Sequence, residues 1–204
     1  MLNNKFSKGV IFSCIAAIFW GLPQPLFFNE LNHVETIEVV AHRGFWSFIF
    51  LFLLLILISN ISDFIEIFKS RKRIFILTIT AFLIAGNWAG FIYSVGQERV
   101  QDASMGYFIT PMISIVLGYF FLNEKITKPK FASVCLMLLG ILFLFINLNQ
   151  FPFLIIWIGT SWAIYGLLRK QVNVNPSIGL LYETFIISLI SVSYTHLTLP
   201  TICS

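Results

Sequence analysis

Six long apolar blocks run along the chain, at about residues 9–28, 37–59, 74–96, 103–122, 131–147 and 151–168, and a seventh begins near Ser177. Each approaches the ~20 residues that an α-helix needs to cross the roughly 30 Å hydrocarbon core of a bilayer. Apolar character within a block is continuous rather than alternating, and a block is about twice as long as a membrane β-strand, so the pattern predicts helices. The short connectors between blocks are of two kinds. Lys5 and Lys8 precede the first block, Lys69, Arg71, Lys72 and Arg73 follow the second, Lys125, Lys128 and Lys130 follow the fourth, and Arg169 and Lys170 follow the sixth. Alternate connectors hold Glu30 and Glu35, then Glu98, Arg99 and Asp102, then the uncharged stretch 147–150. Eleven of the 13 basic residues thus lie on one side, leaving Arg99 and the intramembrane Arg43. Basic connectors stay in the cytoplasm during insertion, which predicts a cytoplasmic N-terminus.

Composition agrees, with 58% hydrophobic, 17% aromatic and only 11% charged residues. The net charge of +4 follows from the connectors, so it reports topology, and no nucleic-acid partner is expected. The N-terminal block is longer than the apolar core of a secretory signal and lacks a small-residue cleavage site, so it reads as the first span. Cys14 and Cys135 lie in apolar blocks and Cys203 near the end of the chain, without His or Cys at ligand spacing. Neither a disulfide framework nor a metal is expected, and no cofactor either.

Several runs in fixed order resemble one family. Trp20-Gly21-Leu22, Ala41-His42-Arg43, Asn87-Trp88, Ala103-Ser104-Met105-Gly106-Tyr107-Phe108-Ile109-Thr110-Pro111, Gly118-Tyr119-Phe120-Phe121-Leu122-Asn123-Glu124-Lys125 and Tyr165-Gly166-Leu167-Leu168-Arg169-Lys170 resemble the RarD branch of EamA-type permeases in the drug/metabolite transporter superfamily. The resemblance covers about residues 8–190. It implies an all-α polytopic membrane protein of two inverted five-helix repeats, about 6.5 of whose helices are present here. It also implies a bacterial inner-membrane location, cytoplasmic termini and transport of a small metabolite or drug-like solute. The expected domains are a first repeat over 1–147 and the start of a second over 148–191. Trp20-Gly21-Leu22 matches Tyr165-Gly166-Leu167, and Ile37–His42 can be laid against Ile178–Glu183, a weak internal echo of that repeat.

The seventh block loses its apolar character by Tyr194. Residues 192–201, VSYTHLTLPT, resemble the one-frame translation of a transposase-type sequencing adapter, so 192–204 is expected to be a non-native tail and the protein truncated.

Polar groups inside spans are expensive and therefore candidates for function. His42 and Arg43 lie five or six residues into the second block, and Arg43 either reaches the outer interface or lines a cavity and meets an anionic or polar solute group. Glu183 is similarly deep from the other side, so the depth reckoning puts it more than about 10 Å from Arg43, beyond direct pairing. Glu183 is the candidate for proton coupling, because a carboxylate can alternate between protonated and charged forms; the alternative is a structural hydrogen-bonding role. His42 is either a second titrating group or a fixed hydrogen-bond partner.

Pro23 and Pro25 should break the first helix around Gln24, whose amide then either contacts solute or lies at a kink that only shapes packing or ends the helix early; Pro111 repeats this in the fourth, with the Thr110 hydroxyl available to a freed carbonyl. Asn87 lies in Gly86-x-x-x-Gly90, a packing face, and is either interhelical glue or a solute contact. Tyr107, Trp162 and Tyr165 are candidate aromatic cavity walls or packing groups. No P-loop, H-E-x-x-H or G-x-S-x-G motif is present, so the chain is not expected to be an enzyme, and transport would be secondary. A lipid-modifying transferase and a non-transporting scaffold or sensor are the alternatives. Partners are then the bilayer and a small solute, with a homodimer left open.

Overall fold

The first apolar block is divided in the computed structural model: α1 (Leu2–Gly21) ends one residue before α2 (Pro23–Glu30) begins. Proline has no amide hydrogen, and Pro23 and Pro25 both fall in the first turn of α2, where amides have no intrahelical acceptor anyway. The structure describes residues 2–58, 61–146 and 152–202, and the side chains of these other than 2–6, 58, 61, 144 and 194–202. The stretch 147–150 and Cys203 lie outside the described residues.

After α2 come α3 (Thr36–Ile58), a short α4 (Ile61–Ile67) and α5 (Arg71–Gly96). Then follow α6 (Val100–Leu122), α7 (Lys128–Ile146), α8 (Phe153–Gln171) and α9 (Pro176–Ile202). No strand occurs among the described residues, and over those residues every predicted block is helical apart from the break at Leu22 and the N-terminal edge of the sixth. Among the described residues, five stretches are long and apolar enough to cross a membrane: Ser7–Glu30, Thr36–Leu57, Arg71–Gly96, Val100–Leu122 and Pro176–Ser193. Helix α9 continues to Ile202. The chain is an all-α polytopic membrane protein.

Small residues decide which helices touch. Helix α8 packs against α6 and α5. A Cβ at Gly159 would come within 2.8 Å of the Gly106 carbonyl oxygen, and one at Gly106 within 2.8 Å of the Ile158 Cβ, so two glycines set the α6–α8 crossing. Thr110 donates to the Gly106 carbonyl at 3.2 Å and approaches that of Gly159 at 3.4 Å. Its hydroxyl therefore serves the crossing rather than the Tyr107 carbonyl that Pro111 leaves without a donor four residues on. Gly86 and Gly90 form the expected packing face, and its occupant is Trp157, whose Nε1 donates to the Gly86 carbonyl at 2.9 Å.

Helices α3 and α9 run antiparallel and meet closest where Gly44 faces Ile187. Phe48 lies against Phe185 further along this contact, with ring centroids 5.5 Å apart. Two apolar clusters fill the bundle. One groups Phe28, Ile84, Trp88, Phe91 and Ile158; the other groups Leu55, Ile67, Leu77, Leu181 and Tyr182. Outward-facing Phe12, Phe120 and Phe143 are exposed, as a lipid-facing surface requires.

Candidate functional site

The candidate residues separate into three groups. Gln24, His42 and Arg43 line a cavity of about 800 Å³ between α2 and α3, together with Pro23 and apolar residues such as Phe19, Phe27 and Trp46. Helix α2 brings Gln24 to this cavity because the break after Leu22 restarts the helix there. His42 is exposed and sits 4.0 Å from Glu38 one turn earlier on α3. Arg43 turns inward. Its guanidinium lies over the Trp88 ring at 4.2 Å and over the Phe28 ring at 5.6 Å, both buried. Arg43 Nη1 and Gln24 Oε1 are buried without a hydrogen-bond partner.

Asn87 and Tyr107 form the second group, at the junction of α5, α6 and α8. Asn87 is fully buried; its Nδ2 donates to the Ile158 carbonyl and to Ser161 Oγ, each at 3.0 Å. Tyr107 donates its hydroxyl hydrogen to Asn87 Oδ1 at 3.1 Å. With both amide hydrogens and the oxygen engaged, Asn87 is interhelical glue in this conformation. The Tyr107 ring meets Trp20 edge-on at 5.5 Å.

The third group surrounds Glu183 on α9, which is completely buried. Thr80 of α5 approaches Glu183 Oε1 at 2.6 Å, and Tyr165 of α8 donates to Oε2 at 3.0 Å. Arg169, one turn beyond Tyr165, places Nε 3.6 Å from Oε1 and donates from Nη2 to the Pro176 carbonyl at 3.1 Å. Tyr165 also stacks on Trp162, with centroids 5.1 Å apart.

Arg43 and Glu183 do not pair, and they are closer in depth than the sequence reckoning. Because Gly44 faces Ile187, Arg43 lies one residue to one side of the crossing and Glu183 four residues to the other, about 7.5 Å apart along the axes at 1.5 Å per residue. The reckoning assumed helices normal to the bilayer and a full 30 Å of hydrocarbon, whereas the observed packing sets the register directly.

Thr80 and Arg169 were not singled out by the sequence reading. Thr80, Asn87 and Ser94 are all fully buried and recur every seven residues, so they share one face of α5. That spacing of small polar residues within an apolar block was the available signal. Arg169 was read as a connector charge and as part of the Tyr165–Lys170 run but given no site role, because a residue near a helix end does not disclose whether its side chain turns inward.

Residues 7–146 match the model of the EamA-like transporter family. The chain belongs to that family. Among curated proteins, this EamA chain is 34% identical over 177 residues to Protein RarD of Escherichia coli, covering 87% of the chain and 60% of the relative. It is 33% identical over 177 residues to an uncharacterized transporter of Vibrio cholerae, covering 87% and 58% respectively. It is 30% identical over 197 residues to the uncharacterized transporter YojE of Bacillus subtilis, covering 95% and 66%. The EamA chain thus spans about three-fifths of the length of the first two relatives, and within the family it is of the RarD type. No solved structure matches it.

Proposed function

We propose that the protein is a secondary permease that moves a small metabolite or drug-like solute across the bacterial inner membrane by alternating access, with its N-terminus in the cytoplasm. The observation that carries this reading is the cavity of about 800 Å³ with a cationic side chain set into its wall within the membrane. A volume in this range suits a small solute. Membrane interiors do not retain an unneutralised cation without use. The family and the relatives' names as transporters support the same reading.

The proposed architecture is a first five-helix repeat over 1–147 and an inverted second repeat beginning at 148, with 192–204 as a non-native tail. Support comes from α3 and α9, which the internal alignment makes equivalent and which pack on one another.

Proton coupling through Glu183 is part of the proposal. The Thr80 hydroxyl reaches two acceptors, the Leu77 carbonyl at 3.0 Å and Glu183 Oε1 at 2.6 Å, but has one hydrogen. With Glu183 ionised, Thr80 donates to it. With Glu183 protonated, the carboxyl donates to Thr80 and the Thr80 hydrogen turns to Leu77. Both forms are therefore satisfied without rebuilding the site.

The test is solute uptake driven by a pH gradient, in vesicles reconstituted with the product of the complete reading frame. Glu183→Gln is expected to abolish the gradient dependence while leaving membrane insertion intact. Unchanged gradient-driven uptake in that variant would sink the coupling proposal, and absence of any solute flux in the wild type would sink the permease reading.

A further inference from the structure

We propose that the cavity between α2 and α3 selects solutes that carry one anionic group on an apolar body, and that Arg43 is their counter-charge. The inference deepens the permease reading by naming the substrate class of the same site.

The argument starts from the surroundings of Arg43. It lies on α3 seven residues beyond Thr36, about 10 Å along the helix at 1.5 Å per residue. An arginine at that depth ordinarily either reaches outward to the interface or meets an acid. Neither is found. The guanidinium is directed into the bundle, over the buried rings of Trp88 and Phe28. Among the described residues no carboxylate comes within 4.0 Å of it, and Nη1 has no hydrogen-bond acceptor.

Two acids of the bundle are engaged with other bases: half-buried Asp102 pairs with Arg99, and buried Glu183 with Arg169. Glu38 also lines the cavity but is exposed, 4.0 Å from His42 and not within ion-pair distance of Arg43. A cation in an apolar setting that lacks a protein anion favours a ligand that brings one, because a charge-assisted hydrogen bond to a guanidinium is about twice as strong as a neutral one. Arginine adds a fork that matches a carboxylate's two oxygens.

The remaining wall sets the rest of the solute. Phe19, Phe27 and Trp46 provide apolar and aromatic surface. The buried Gln24 Oε1, also without a partner, offers a second, neutral contact to a donor on the solute. A cationic solute meets Arg43 as a like charge, and a neutral one leaves it unneutralised.

The experiment is equilibrium binding to the product of the complete reading frame in nanodiscs, with empty nanodiscs as control for partitioning. The probes are phenylpropionate, its primary amide and phenylpropylamine, which share a body and differ in charge. The wild type is expected to bind the carboxylate about tenfold or more tighter than the amide or the amine. Arg43→Leu should remove that preference while keeping the amide's affinity, and Arg43→Lys should retain part of it. Should Arg43→Leu fail to insert, Arg43→Gln repeats the comparison with a neutral polar side chain. Equal binding of all three probes, a preference for the amine, or a carboxylate preference that survives loss of the charge would overturn the proposal. Flux of the same probes separates this inference from the reading beneath it. Selective binding with no flux overturns the permease reading alone, and flux that ignores charge overturns the selectivity alone.

Discussion

Arg169 on α8 sits 3.6 Å from Glu183 on α9, and the backbone of Gly179 lies directly beneath its guanidinium. Glu183 is wholly buried, so this pair is the charge on α8 that neutralises a carboxylate between three helices. Arg169→Leu leaves that carboxylate with only Thr80 and Tyr165, and the expected cost is about 3 kcal/mol, the range for breaking a buried pair. Glu183→Gln should cost less, because Arg169 is near a helix end and keeps its bond to the Pro176 carbonyl. Gly179→Ala puts a methyl group where the guanidinium now lies and should lower stability in the same direction as Arg169→Leu, but by less. Thermal unfolding in detergent of the three variants checks the order.

The α6–α8 crossing makes a second prediction. A methyl group at Gly159 meets the Gly106 backbone oxygen, which cannot swing away as a side chain would, so Gly159→Ala should destabilise by about 1–3 kcal/mol. Gly140→Ala is the control. It has open space around it, and alanine favours helix over glycine, so its effect should be neutral or slightly stabilising.

Asn87 ties three helices together, and its loss strands several polar groups at once. Asn87→Leu removes the partner of the Tyr107 hydroxyl and the donors to Ser161 and the Ile158 carbonyl, at an expected cost of about 2–3 kcal/mol. Tyr107→Phe breaks one of these bonds and should cost about 1 kcal/mol. A double-mutant cycle between the two positions should show strong non-additivity.

Near the ends of α6 and α8, Lys170 donates a hydrogen bond to Glu124 and holds its carboxyl below the ordinary carboxylate range. A carboxyl depressed in the folded state stabilises it fully above the unfolded value near pH 4.3, and loses that contribution as pH falls through the lower folded value. Wild type should therefore exceed Glu124→Gln in stability at neutral pH, with the difference vanishing in acid. The pair is exposed, so the difference should be small and shrink with added salt. Melting curves at neutral and acidic pH, with and without salt, measure both effects.

Much of the fold could be read from the chain because apolar length and connector charge are one-dimensional signals. The helices at Thr36–Ile58, Arg71–Gly96 and Val100–Leu122 lie close to their predicted blocks, and the break at Pro23 falls where proline chemistry puts it. Helix α4 was missed, since Ile61–Ile67 is too short to register as a block; its Ile67 nevertheless seals the cluster around Tyr182. The site was legible in residue types but not in pairings. Arg43, Gln24 and Glu183 were conspicuous as polar groups among apolar ones. That Arg169 rather than Arg43 serves Glu183, and that Asn87 spends its amide on Ser161 and Tyr107, depends on helix rotation, which a continuously apolar block does not encode.

The contact between Gly44 and Ile187 is placed where a fulcrum would be for any rocking of α9 against α3. Glu183 stands about 6 Å from it along α9, whereas Arg43 is about 1.5 Å from it along α3. A rocking of α9 by roughly 10° about that point would sweep the carboxylate through about 1 Å, enough to make or break hydrogen bonds to Thr80 and Tyr165. The same motion leaves the guanidinium nearly still. Such a motion would pair a stationary cation with a travelling carboxylate, the two helices bearing on each other at one glycine.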